Sequence, residues 1–224
     1  MNTRTGNNRP PSFFSLDECD RLSRFISSGK GAEEEQATTK VRQVEWKLPR
    51  DLALVGVLLG GGLKLSEALC LTIRCITGEA ADTVEIPHSP KTRGGDRYAD
   101  PGVGTFERTV KLEPFAAVAM KRWLAIRNAV PGMSDDNLFP STLAGKPLDV
   151  SNANRRIKPI LEACNVTFGR EARGSAQTLR NCHAANLFFM GRDDNEILQQ
   201  MGWVDMLSVQ RFRSQLPPEF KASK

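Results

Sequence analysis

Arg180 stands among apolar and small residues, Leu179, Cys182, Ala184, Leu187 and Phe188, whose spacing predicts a helix over residues 177–190. A guanidinium on such a helix is costly unless it meets a carboxylate or the negative charge of a ligand. It therefore either pairs inside the fold or grips an anion such as phosphate. Further cations recur in turns and at helix ends: Lys91, Arg93, Arg97, Arg155, Arg156, Lys158, Arg170, Arg173, Arg211 and Arg213. A surface of this kind attracts phosphates whatever their sequence context. The net charge of +5 and the pI of about 9.1 are compatible with a polyanionic partner.

Other chemistries find less support. The five cysteines, Cys19, Cys70, Cys75, Cys164 and Cys182, form neither a CxxC pair nor a metal knuckle. They read as reduced thiols of a cytosolic protein, and no metal or cofactor is expected. No apolar run approaches the roughly 20 residues needed to span a bilayer, and the polar N-terminus has no secretory core, so a cytoplasmic location is expected.

The cations need elements to place them. Residues 1–12, rich in Asn, Arg and Pro, read as a flexible basic arm. Ser15 with Glu18 three residues later makes a capping box for a first helix ending near Gly29. The stretch 31–39 is polar and Glu-rich and reads as a loop or a solvated helix start. Residues 52–59 are apolar on nearly every face and predict a core helix stopped by Gly60, Gly61 and Gly62. A second helix follows over residues 65–71. Residues 83–87 and 106–112 alternate like two strands of a small antiparallel hairpin or sheet with a long tip. Helices follow over residues 114–130, 151–164 (kinked by Pro159), 177–190, 194–201 and 208–216. The fold class is mostly α with a small β element, one domain over residues 13–216 and a tail over 217–224.

Two stretches carry a resemblance. GGLKLSEALCLTIRCI, residues 61–76, is similar to the first arginine box of the tyrosine recombinase or phage integrase family, matching at Gly62, Leu63, Ser66, Glu67, Leu69 and Leu71. QTLRNCHAANLFFMGRDDNEILQQMGWVDMLSVQRF resembles the second box through Leu179, Arg180, Ala184, Gly191, Ile197, Gly202 and Trp203. The spacing of Arg180, Trp203 and Phe212 agrees as well. The resemblance implies the catalytic-domain fold of that family and a short, single-domain member. In that family a tyrosine oxygen attacks phosphorus, two arginines and a histidine or tryptophan hold the phosphate, and a hairpin lysine acts as general acid.

Carried onto this chain, the family positions are Lys64 in place of arginine, Gln177 in place of histidine, Arg180, Trp203, and Phe212 in place of the tyrosine. Lys64 keeps charge but loses the planar fork, Gln177 cannot shuttle a proton, and Phe212 has no oxygen. Tyr98, the sole tyrosine, lies in the hairpin connection. Lys91 is either the hairpin lysine or a solvated turn residue. Glu67 either braces a neighbouring helix or belongs to the site, and His88 and His183 lie off the motif. The expectation is therefore a non-enzyme that binds double-stranded DNA through Lys64, Lys91, Arg93, Arg155, Arg156, Arg180, Trp203, Arg211 and Arg213. Such a protein would regulate transcription on a bacterial mobile element. The alternative is an accessory subunit or an atypical recombinase, with a second copy or a recombinase or transcription partner beside it.

Overall fold

The computed structural model describes residues 10–29, 46–87, 108–133, 136–166 and 175–221. Most of the expected basic arm, the Glu-rich stretch, Lys91, Arg93, Arg97, Tyr98, His88, Arg170 and Arg173 lie outside the described residues.

Helix α1 (Leu16–Ser28) opens with the capping box that its sequence signals: Ser15 accepts from the Glu18 N–H, and Glu18 accepts from the Ser15 N–H at 2.8 Å. Gly29 closes it in the left-handed region. Helix α2 (Lys47–Gly60) is buried from Pro49 to its end and packs against α1 and the helices described below, which makes it the axis of the domain. Its first turn buries two charges, Arg50 and Asp51. They survive there because Arg50 Nε donates to Asp51 at 2.8 Å, and its guanidinium also donates to the Pro140 carbonyl and lies over the Trp46 ring.

After α2 come the short α3 (Leu65–Leu69) and a single 3₁₀ turn (Ile73–Cys75). Helix α3 stops two residues earlier than the sequence pattern suggests, because the chain turns at Cys70 and Leu71. The β element is an antiparallel sheet in the order β1 (Ile76–Thr77), β2 (Thr83–Ile86), β3 (Arg108–Lys111). Strands β2 and β3 pair in the register Thr83 with Lys111 through Ile86 with Arg108. The strand β1 adds to the expected pair; two residues are too few to show an alternating pattern.

Helix α4 (Pro114–Ala129) crosses α2 closely, and a Cβ placed on Gly60 would meet that of Ala116 at 2.6 Å. Helix α5 (Val150–Ala163) runs as one helix through Pro159. Helices α6 (Ser175–Phe189), α7 (Asp194–Met201) and α8 (Met206–Ser214) follow, α7 with the bounds its pattern predicts. Helix α8 begins two residues early because Asp205 accepts from the Ser208 N–H at 2.8 Å and caps it.

Two hydrophobic clusters result. The larger surrounds α2. The smaller joins Ala184, Ala185, Leu187 and Phe188 of α6 to Ile197, Met201, Val209, Leu216 and Phe220. Residues 217–221, expected to lie in a loose tail, instead turn back as a 3₁₀ segment (Pro218–Phe220) with Phe220 fully buried. Burying an aromatic ring outweighs the cost of ordering so few residues.

Gly62 lies where the end of α2 meets α6 and α7. It adopts φ +66°, and a Cβ there would lie 2.4 Å from His183 Cδ2 and 2.9 Å from Met201 Sδ. Both the backbone conformation and the approach of α6 and α7 demand a residue without a side chain. Gly62→Ala is expected to lower unfolding stability by about 3 kcal/mol, read from urea midpoints at constant m. A loss under about 1 kcal/mol would mean that this contact relaxes freely.

Candidate nucleic-acid interface

The site begins where α2 ends. Gly62 turns the chain so that Lys64 stands at the N-cap of α3 and Glu67 occupies its first turn, where the carboxylate accepts from the Lys64 N–H at 2.8 Å. From β3, Arg108 reaches the same carboxylate with both guanidinium arms, Nη1 to Oε1 at 3.0 Å and Nη2 to Oε2 at 2.9 Å. Lys64 Nζ lies 3.4 Å from Oε1 and Arg180 Nη1 3.8 Å from Oε2. Three cations from three elements therefore share one acid.

Burial alone would raise the Glu67 pKa. The Arg108 hydrogen bonds and charge, the Lys64 N–H and Arg180 outweigh it and hold the carboxyl at about 2. Burial lowers Arg180 to about 10, partly offset by Glu67, so it stays protonated at neutral pH. Its guanidinium donates to the carbonyls of Gly62 and Met201, the latter at 2.5 Å, and it ties α6 to both boxes.

His183, one turn after Arg180 on α6, is fully buried with Nδ1 3.0 Å from the Leu59 carbonyl. Burial lowers its pKa to about 4, so it is neutral at physiological pH. Gln200 of α7 closes the space beside it, donating to the Lys111 carbonyl at 2.8 Å and standing 3.4 Å from His183 Nε2.

Gln177 is exposed on the first turn of α6 and donates to Asn181 at 2.9 Å. Trp203 follows the left-handed Gly202 that ends α7, and its ring packs on Phe212 of α8 with centroids 5.2 Å apart. Phe212 is half-buried between Trp203, Phe188 at 6.0 Å and Phe13 at 5.6 Å. Position 212 thus sits at the turn that carries Trp203, and its ring fastens α8 to α6 and to the segment before α1.

Of the residues picked out by sequence, Lys64, Arg180, Trp203 and Phe212 gather around the Gly62, Met201 and Gly202 junction. Arg155 and Arg156 lie exposed on α5, which packs against α2, α3 and α6. Arg211 is exposed on α8. Arg213 is engaged, paired with Asp194 and lying over the Phe188 ring at 5.0 Å. Arg108 was missed. It lies in the alternating stretch read as a strand, and only the position of its neighbour Glu67 in the first box could have suggested a partner.

Among the described residues there is no grouping of three or more His, Cys, Asp or Glu able to hold a metal ion, and no helix is long and apolar enough to cross a membrane. The five cysteines are free thiols, Cys19, Cys164 and Cys182 buried and Cys70 exposed.

Comparison with solved structures returns this fold repeatedly. The XerA recombinase matches with a TM-score of 0.66 and 20% identity over 96% of this chain and 64% of that one. The XerH site-specific recombinase, in a pre-cleavage complex with its difH substrate, matches at 0.65 and 20% identity over 94% of this chain and 52% of its own. The catalytic domain of bacteriophage HP1 integrase matches at 0.53 and 13% identity, with 92% and 89% covered. The chain thus spans 64% and 52% of the two recombinases and most of the isolated catalytic domain. No curated protein sequence matches it.

A family comparison matches residues 32–217 to the phage integrase family. This overturns the expectation that the chain is not an enzyme: that expectation rested on Lys64, Gln177 and Phe212 alone, whereas the family match spans nearly the whole fold and the solved structures sharing it include recombinases. Matched through both boxes and the elements between them, the chain belongs to the phage integrase family.

Proposed function

We propose that the chain binds duplex DNA in site-specific recombination, as a subunit that holds a half-site and takes part in strand exchange. The observation that carries this reading is the convergence of Lys64, Arg108 and Arg180 on one carboxylate, with Arg108 lying over the Gly202 turn that leads to Trp203. One acid cannot neutralise three cations, so the junction keeps a positive field toward the solvent where Lys64 is half exposed. Arg155 and Arg156 on α5 and Arg211 on α8 add exposed positive charge elsewhere on the surface. The XerH recombinase and the Tn1549 transposon integrase are both solved on DNA, which supports the same use of the fold here. The same binding would also suit control of transcription on a mobile element, and genome-wide occupancy concentrated at promoters rather than recombination sites would favour that second role.

Cleavage of a phosphodiester requires an oxygen nucleophile, and residue 212 offers a phenyl ring. Ser208 lies four residues earlier on the same face of α8, its hydroxyl 2.7 Å from Asp205 Oδ1. In this reading the serine oxygen attacks phosphorus, Asp205 takes the serine proton, and the 5′ oxygen leaves as a hydroxyl, taking up a proton from solvent.

A duplex enriched from a random pool by this chain should bind with Kd tighter than about 10⁻⁵ M at low salt and weaken steeply as salt rises. Lys64→Glu and the pair Arg155→Glu with Arg156→Glu should each weaken binding about tenfold or more. Failure to enrich any duplex, measured by anisotropy, would sink the DNA-binding reading.

With a nicked suicide version of that duplex at saturation, a covalent adduct is expected on this chain and should vanish in Ser208→Ala. An adduct that persists in Ser208→Ala excludes that serine. No adduct at a saturated site moves the chemistry to a partner subunit and leaves this chain as the holder of the half-site.

A further inference from the structure

Resting on the DNA-binding reading above, we propose that Arg108 is a positioning residue that neutralises Glu67 so that Lys64 and Arg180 keep their charge for a DNA phosphate. The geometry separates Arg108 from the other two cations. It alone meets the carboxylate with a two-armed fork, at 2.9 and 3.0 Å, whereas Lys64 and Arg180 stand at 3.4 and 3.8 Å. A bidentate guanidinium is the strongest partner a carboxylate finds in a protein.

Arg108 is also less suited than Lys64 to touch a ligand itself. Its side chain and that of Glu67 are each 10% exposed, while Lys64 is 47% exposed. Arg108 Nε donates to the Gln200 carbonyl at 3.4 Å. Its guanidinium fills the space over Gly202, where a Cβ would lie 2.6 Å from Nη1. One side chain on β3 is therefore wedged between the first-box helix and the turn that leads to Trp203.

Without Arg108, the same acid would be left in a nearly buried place with Lys64 and Arg180 as its remaining partners. Both would move onto it, because an unpaired buried carboxylate is costly. The phosphate site would then lose charge although neither of its cations had been changed.

Three forms of the full chain test this on the enriched duplex: wild type, Arg108→Met, and Arg108→Met with Glu67→Gln. Arg108→Met should weaken binding on the order of tenfold at fixed salt and lower the slope of log K against log salt by about one. Adding Glu67→Gln removes the acid that captured the cations and should return both affinity and slope to within about threefold and half a unit of wild type. Wild-type binding by Arg108→Met alone would overturn the proposal. So would a double variant as weak as the single one, since Arg108 would then contact phosphate itself or serve the fold only. If Arg108→Met does not fold, the double variant, which buries no unpaired charge, still decides: a folded double variant binding tenfold more weakly than wild type refutes the assignment. Failure of wild type to bind any duplex would instead strike the underlying DNA-binding reading.

Discussion

The carboxylate of Glu67 is the point on which the site closes. It accepts from the N–H of Lys64 at the start of its own helix and takes the fork of Arg108 from the sheet. It also stands within reach of Arg180 from α6. A helix of five residues has little stability of its own. The orientation of α3, and so of Lys64, is set by this ion-pair network together with the packing of Leu65, Ala68 and Leu69 on the core. The network is buried enough that its members cannot be exchanged for water, yet it opens on one side to solvent through Lys64. That combination of a fixed interior and a charged rim is what a phosphate-binding surface requires.

A second constraint meets the first at Gly62 and Gly202. Both adopt left-handed conformations, and each has another residue's side chain pressed where its own would be: His183 at Gly62 and Arg108 at Gly202. Arg180 then bonds to the carbonyls of Gly62 and Met201. The two boxes, far apart in the chain, are thus joined by backbone as well as by charge. Trp203 and Phe212 hang on this junction through their ring contact, and Phe188 and Phe13 extend the stack toward the start of the chain.

Much of the architecture was legible because its signals are local. The capping box at Ser15 and Glu18, the all-apolar run of α2 and the bounds of α7 each follow from a few neighbouring residues. What escaped is non-local. Strand β1 is too short to show a period, and Phe220 becomes buried only because the chain turns back onto α6. Arg108 looks like any solvent-facing strand residue until the sheet is set against α3 and α7. The site showed the same division: the family positions could be read from their spacing, but their pairing could not, since a carboxylate's partner is chosen in three dimensions.

Phe212 and Arg108 show what the residue-by-residue reading left out. Judged residue by residue, the changes at 64, 177 and 212 remove a fork, a proton carrier and a nucleophile, and from these the protein was expected to be no enzyme. The structure shows that charge at the site is set collectively. Lys64 replaces one guanidinium, Arg108 takes up the Glu67 charge from a position the family pattern does not count, and Arg180 remains protonated in spite of its burial. Phe212, for its part, is fixed by three aromatic neighbours rather than left as a gap. The helix that carries it is capped at Asp205, with Ser208 in its first turn. The charge at this junction is thus set jointly by residues of both boxes and of the sheet, which no single family position reveals.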